Sequence, residues 1–188
     1  MYLLRVVCVL IAILLIISGC SLFGNDVDPS NEGDINDDNG NIIDNIEVSG
    51  TKMRETIFYY SNDEGRIVPH VMSIPWEEGI AKAAIENLVD SDDLRDKLSH
   101  LGLNPVLPVG TKVLGLTIRD GLAKIDFNSN FLNYSNKKEE EDAVNSVICT
   151  LTEFPTIDMV QFMVEGKDIK HLLFDTDISG ILDRECLK

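Results

Sequence analysis

Positive charge is what this sequence lacks most. Lys and Arg number 16 against 32 Asp and Glu in 188 residues, a formal net charge of -16. A surface of that sign repels phosphate backbones, so nucleic acid is not expected as a partner. Motifs that carry chemistry are also missing. There is no Gly-x-Ser-x-Gly elbow, no phosphate-cradling glycine loop and no Cys-x-x-Cys. His70, His100 and His171 are far apart and lack metal-ligand spacing, so neither a metal nor another cofactor is implied. The many carboxylates read as a solvated face. With no catalytic residues to assign, the chain is expected not to be an enzyme. Long hydrophobic runs are absent too: the run VVCVLIAILLII, residues 6–17, is short of the roughly 20 residues that a membrane span needs. Trp76, the only tryptophan, reads as a core plug at a helix start or as an exposed partner anchor, with the core plug preferred.

What is present begins with a targeting segment. Residues 1–19 carry one charge, Arg5, then the apolar run, and have the length of a signal peptide. Ile17-Ser18-Gly19-Cys20 resembles the lipobox of bacterial lipoproteins. That resemblance implies a diacylglycerol thioether on Cys20, which becomes the mature N-terminus, with two acyl chains sufficient for stable membrane anchoring. Loss of Arg5 with the signal makes the charge -17 (-16 minus 1). Residues 20–50 follow as a linker rich in Asp and Glu, with no Lys or Arg, that cannot bury enough apolar surface to fold. Asp34, Asn36 and Asp38 occupy the first, third and fifth places of an EF-hand-like loop. Its sixth place holds Asn39 instead of glycine, and no closing glutamate follows, so the linker reading is preferred. Of four cysteines, Cys8 leaves with the signal and Cys20 takes lipid. Cys149 and Cys186 remain as a candidate disulfide in an extracytoplasmic setting. Cys149 projects off the apolar stripe of its helix and is expected to be reachable.

Residues 51–188 read as one folded domain. Residues 55–61 (ETIFYYS) form a strand, 62–65 a turn, and 66–73 a partner strand that Pro69 assigns to an edge. Pro75 suits the first position of a helix reaching Val89, and Ser91 suits the cap of a shorter one ending at Gly102. Asp120-Gly121 joins strands 111–119 and 122–127 as a hairpin. Asn136 and Glu139 make a capping box for a helix carrying Val144, Val147, Ile148, Leu151 and Phe154 on one stripe, and Pro155 stops it. A strand over 160–164 and a polar tail with Leu172, Leu173 and Phe174 as packing points complete the chain. The fold class is α+β, a small antiparallel or mixed sheet with helices packed on one face, in the order β-α-β-β-α-β.

Four stretches carry a family resemblance: LPVGTKVL (107–114), DGLAKIDF (120–127) with Asn130-Phe131-Leu132, TLTEFP (150–155), and strand 160–166 with Ile178-Ser179-Gly180. Together they resemble the GerMN domain of sporulation and spore-germination lipoproteins, over roughly residues 56–184. The resemblance implies a non-enzymatic module on the outer face of the cytoplasmic membrane, with a protein partner in a sporulation, germination or envelope assembly. Its fold is then similar to ring-building motifs, with room in this chain for one such domain. Two other readings compete: an extracytoplasmic ligand-binding lipoprotein, and a cell-wall hydrolase using Glu153 and Asp158 as paired acids. Glu153 equally suits a helix-end hydrogen bond.

Overall fold

The computed structural model describes residues 52–76 and 78–186. The signal peptide, Cys20, the acidic linker and the EF-hand-like loop lie outside the described residues. A hairpin opens the domain: β1 (Met53–Asn62) pairs antiparallel with β2 (Ile67–Pro75) from Met53↔Pro75 to Ser61↔Ile67. Asn62 closes the turn through its Oδ1, which accepts from the amides of Glu64 and Arg66 at 3.1 and 2.9 Å. β2 is an edge, as Pro69 suggests.

Pro75 behaves differently from expectation. It ends β2, and the Trp76 amide extends the ladder by donating to Lys52 O at 2.7 Å. Helix α1 begins only at Ile80, after Gly79 turns left-handed at φ 85°, and runs to Glu86. A fixed φ near -65° suits a strand end as well as a first helical turn, and here cross-strand pairing to Met53 decides. Trp76 is consequently 59% exposed, not a core plug, with the Arg54 guanidinium 5.4 Å from its ring centroid. α2 (Asp92–Ser99) has the expected Ser91 cap, which accepts from the Leu94 amide at 3.3 Å. β3 (Leu103–Asn104) then adds to the end of β1.

A second sheet follows. β4 (Val113–Arg119) and β5 (Leu122–Phe127) form the predicted hairpin, whose turn residues Asp120 and Gly121 take φ 50° and 79°. After helix α3 (Lys137–Leu151), β6 (Met159–Val164) returns parallel to β5, and β7 (Lys167–Asp168) turns back on β6. The sheets are β2-β1-β3 and β4-β5-β6-β7, two where one was expected, within the expected α+β class.

The capping at α3 is close to the expected box: Asn136 Oδ1 accepts from the Glu139 amide at 3.0 Å, while Glu139 reaches the Ser135 amide at 2.8 Å. Thr152 ends the helix, with its hydroxyl donating to Ile148 O at 2.7 Å, so Phe154 lies in the turn beyond. Instead of one buried stripe, α3 is buried over Ser146–Leu151 without a break, because it packs against β1 and β2 as well as β6 and α1. Ser146 and Thr150, on the face away from the stripe, meet the backbone of β1. The Ser146 hydroxyl donates to Tyr59 O, and Thr150 Oγ1 accepts from the Tyr59 amide at 3.2 Å. The core below is aromatic: Phe127 and Phe131 stack at 4.2 Å, and Phe162 lies 6.1 Å from Phe131. Burying each such side chain stabilises the fold by roughly 1.5–3 kcal/mol before entropy costs.

Candidate interaction surface

Glu153 is the carboxylate that the sequence singled out, and its surroundings decide what it can do. It sits just past α3, where the Tyr59 hydroxyl of β1 donates to its Oε1 at 2.8 Å and Arg184 forms an ion pair with the same oxygen. Arg184 also donates to Thr152 Oγ1 at 2.6 Å and to Cys149 O at 2.8 Å, and its guanidinium lies 5.4 Å from the Tyr59 ring centroid. Partial burial disfavours the Glu153 anion, but the Arg184 and Tyr59 hydrogen bonds outweigh it and hold the carboxyl below its usual range. A carboxylate held in that form is a poor general acid. Asp158, the other acid of the hydrolase reading, lies instead against the β4–β5 turn. A Cβ on Gly121 would fall 2.5 Å from its carboxylate. The two acids share no hydrogen bond. Glu153 is a fastening between α3, β1 and the tail, made by its side chain and not by a helix-end backbone bond.

A second fastening was not anticipated. Glu140 is fully buried on the first turns of α3, where it accepts from the amides of Phe174 and Thr176 at 2.8 and 3.3 Å. The sequence places it among the acids that suit the positive end of the helix dipole. The available signal is spacing, because Glu140 is four residues before Val144 and seven before Val147, inside the apolar stripe. Nearby, burial raises the Tyr134 phenol well above its ordinary pKa, and the Glu140 and Glu139 charges raise it further. In the tail, Leu172 is buried as expected, Leu173 and Phe174 are exposed, and Ile178 supplies the second anchor.

The family-like stretch 107–114 also has a local reason. Gly110 takes φ 79°, and its carbonyl accepts from Asn128 Nδ2 at 3.0 Å and Asn130 Nδ2 at 2.9 Å. A Cβ on Gly110 would meet Asn130 Nδ2 at 2.5 Å, so the glycine and the asparagine require each other. The loop they pin borders an open cleft of about 630 Å³, lined by Asp90, Leu107, Val109, Tyr134, Glu139 and Asp142 among others. Each of the cleft's charged side chains already has a partner: Asp90 binds Arg95, Asp142 binds Lys138, and Glu139 serves the α3 cap.

The remaining candidates do not converge. His70 lies in β2, His100 follows α2 and His171 is in the tail. Among the described residues no group of three or more His, Cys, Asp or Glu could hold a metal. Cys149 is a free thiol and is buried, contrary to the expectation that it is reachable, because β1 packs along that part of α3. Burial raises its pKa. The side chain of Cys186, its candidate disulfide partner, lies outside the described residues. The exposed apolar surface includes Val71, Trp76, Val109, Leu114, Ile118 and Leu173.

Residues 56–170 match the family model described as Germane: Sporulation and spore germination. The chain is 31% identical over 194 aligned positions to the spore germination protein GerM of Bacillus subtilis strain 168, covering 91% of this chain and 52% of that protein. Among solved structures, the first GerMN domain of the Bacillus subtilis sporulation protein GerM matches with a TM-score of 0.65 at 34% identity, over 70% of this chain and 98% of that one. The tandem GerMN domains of the same protein match with a TM-score of 0.66 at 34% identity, over 71% of this chain and 47% of that one. This chain thus spans about half of its full-length relative.

Proposed function

The chain belongs to the Germane family of sporulation and spore germination, and from that premise we propose that it is a lipid-anchored, non-enzymatic interaction module. In this reading Cys20 carries the acyl chains, residues 20–50 hold the domain away from the outer face of the cytoplasmic membrane, and the domain docks a protein of a sporulation, germination or envelope assembly. The observation that carries it is the match of residues 56–170 to the family, together with near-complete coverage of a single GerMN domain. Glu153, the best catalytic candidate, supports it by being committed to Arg184 and Tyr59.

Photo-crosslinking in sporulating cells tests the proposal, with probes on exposed positions of α3 and at the Asp120-Gly121 turn. A discrete adduct to a membrane or assembly protein that appears during sporulation is the expected result. Free monomer from every probe, in growth and sporulation alike, would overturn it. The cleft beside Pro105–Val109 favours a second reading, a ligand-binding lipoprotein, because about 630 Å³ is a usual size for a small-molecule site. A ligand-dependent rise in melting temperature, abolished by Val109→Trp, is the result that reading requires.

A further inference from the structure

An exposed strand edge presents unpaired N–H and C=O groups that can template another strand, and folded proteins usually blunt such edges. Among the described residues three of the four outer strands are blunted, and the flanks of β1 and β6 beyond their short neighbours are partly closed as well. β2 carries Pro69 and Pro75, and β3 is two residues long. Where β1 extends past β3, the Ser146 and Thr150 hydroxyls of α3 satisfy Tyr59. β7 is also two residues long, and the flank of β6 beyond it is closed by Leu182, which exchanges amide hydrogen bonds with Val160 at 2.8 and 2.9 Å.

β4 is the exception. It is seven residues long, lacks proline and, among the described residues, pairs with β5 alone, with a register irregularity between Val113 and Gly115 and a regular run from there to Arg119. The two-residue Asp120-Gly121 turn makes Arg119↔Leu122 a hydrogen-bonded pair, and bonded pairs alternate with unbonded ones in antiparallel strands. Leu116 and Ile118 therefore point their N–H and C=O groups outward. Their side chains lie on the core face, opposite the buried Ile125 and Ala123, yet Ile118 is 40% exposed and Leu116 half-buried. Leu114 is 51% exposed. An added strand would cover this apolar overhang while pairing the free backbone groups.

We propose that the outer edge of β4 receives an extended segment of a partner protein as an added strand, with alternating apolar residues and a carboxylate near each end. The inference rests on the interaction reading above and names its surface. Charge selects the occupant. Lys112 and Arg119 flank the edge, and no Asp or Glu lies between Val109 and Arg119. A second copy of this chain fits poorly, since pairing two β4 edges brings Lys112 and Arg119 of both copies together with no carboxylate between Val109 and Arg119 to offset them. A formal charge of -16 on each copy adds to that repulsion.

The test uses the full chain in sporulating cells, with photo-crosslinking probes at Leu114 and Ile118 and reference probes at Val71 and Leu173. In parallel, Ile118→Pro removes an outward N–H and Ile118→Lys removes the apolar side chain that the added strand would cover, with thermal unfolding confirming that each variant folds. The expected result is a heterologous adduct from the β4 probes, mapped by mass spectrometry to a segment flanked by Asp or Glu. With the probe at Leu114, each variant should reduce its yield about tenfold, the loss equivalent to one or two hydrogen bonds. Adducts only from Val71 or Leu173 overturn the edge and leave the interaction reading standing. An adduct from β4 to another copy of the chain overturns the choice of partner. A β4 adduct of unchanged yield in both folded variants overturns strand addition. No adduct from any of these positions, nor from the probes on α3 and at the Asp120-Gly121 turn, overturns both inferences.

Discussion

The two ends of α3 fasten the same C-terminal tail by different physics. At the first turns, Glu140 is fully buried and holds the amides of Phe174 and Thr176. Just beyond the last turn, the Glu153 and Arg184 side chains are 23% and 43% exposed in their ion pair. Water can take over much of what Arg184 offers Glu153, whereas the buried Thr176 amide left by Glu140 would have no substitute. Burial, more than formal charge, sets what each carboxylate is worth.

Glu140→Ala should therefore have the largest effect. Stranding two amides, at least one of them buried, should lower unfolding free energy by about 3 kcal/mol, measured by chemical denaturation. A loss no greater than that of Arg184→Ala would erase the contrast between the two ends. Arg184→Ala should cost about 1 kcal/mol, because the pair is partly screened by solvent.

The pH dependence separates the ends further. Glu153 has a folded-state pKa below its unfolded value, so its stabilisation is fully present above the unfolded pKa and is lost as pH falls through the folded one. The stability difference between the parent chain and Glu153→Gln should accordingly be constant near neutrality. It should shrink as pH drops below about 4.5, the ordinary glutamate range. A difference that grows in acid would contradict the assigned ion pair.

Ile118→Lys supplies the baseline. It touches neither fastening, and with the Ile118 side chain 40% exposed at the rim of the core face it should cost no more than about 1 kcal/mol. A loss as large as that of Glu140→Ala would mean that the β4 edge is part of the core.

Local signals were legible in the sequence. Asn136 with Glu139, Ser91, and the Asp120-Gly121 turn each form structure from neighbours within a few residues, and each appears where its chemistry places it. The order of helices and strands across 113–164 followed, and so did the family, because its motifs include pairs such as Gly110 and Asn130 that must touch.

The misreadings share a cause: each depends on a partner distant in sequence. Pro75 satisfies the local rules of a helix start and a strand end equally, and Met53 settles the matter. Trp76 then falls outside the core. The second sheet cannot be read from α3 alone, so Cys149 looked reachable although its neighbours Ser146 and Thr150 meet β1. Glu140 looked solvated for the same reason, since its partners lie 34 and 36 residues away. The roles of Cys20 and residues 20–50 rest on sequence.

The central claim is that this domain works by holding a protein partner at the membrane. It is tested most directly by solubilising membranes from sporulating cells and sizing the native full-length chain, beside a Cys20→Ala variant, on native gels. The account predicts a discrete complex of higher mass than the monomer, present during sporulation and lost when Cys20→Ala releases the chain from the membrane fraction. Monomer alone at every stage, or a Cys20→Ala chain that stays in the membrane and keeps its complex, would contradict it.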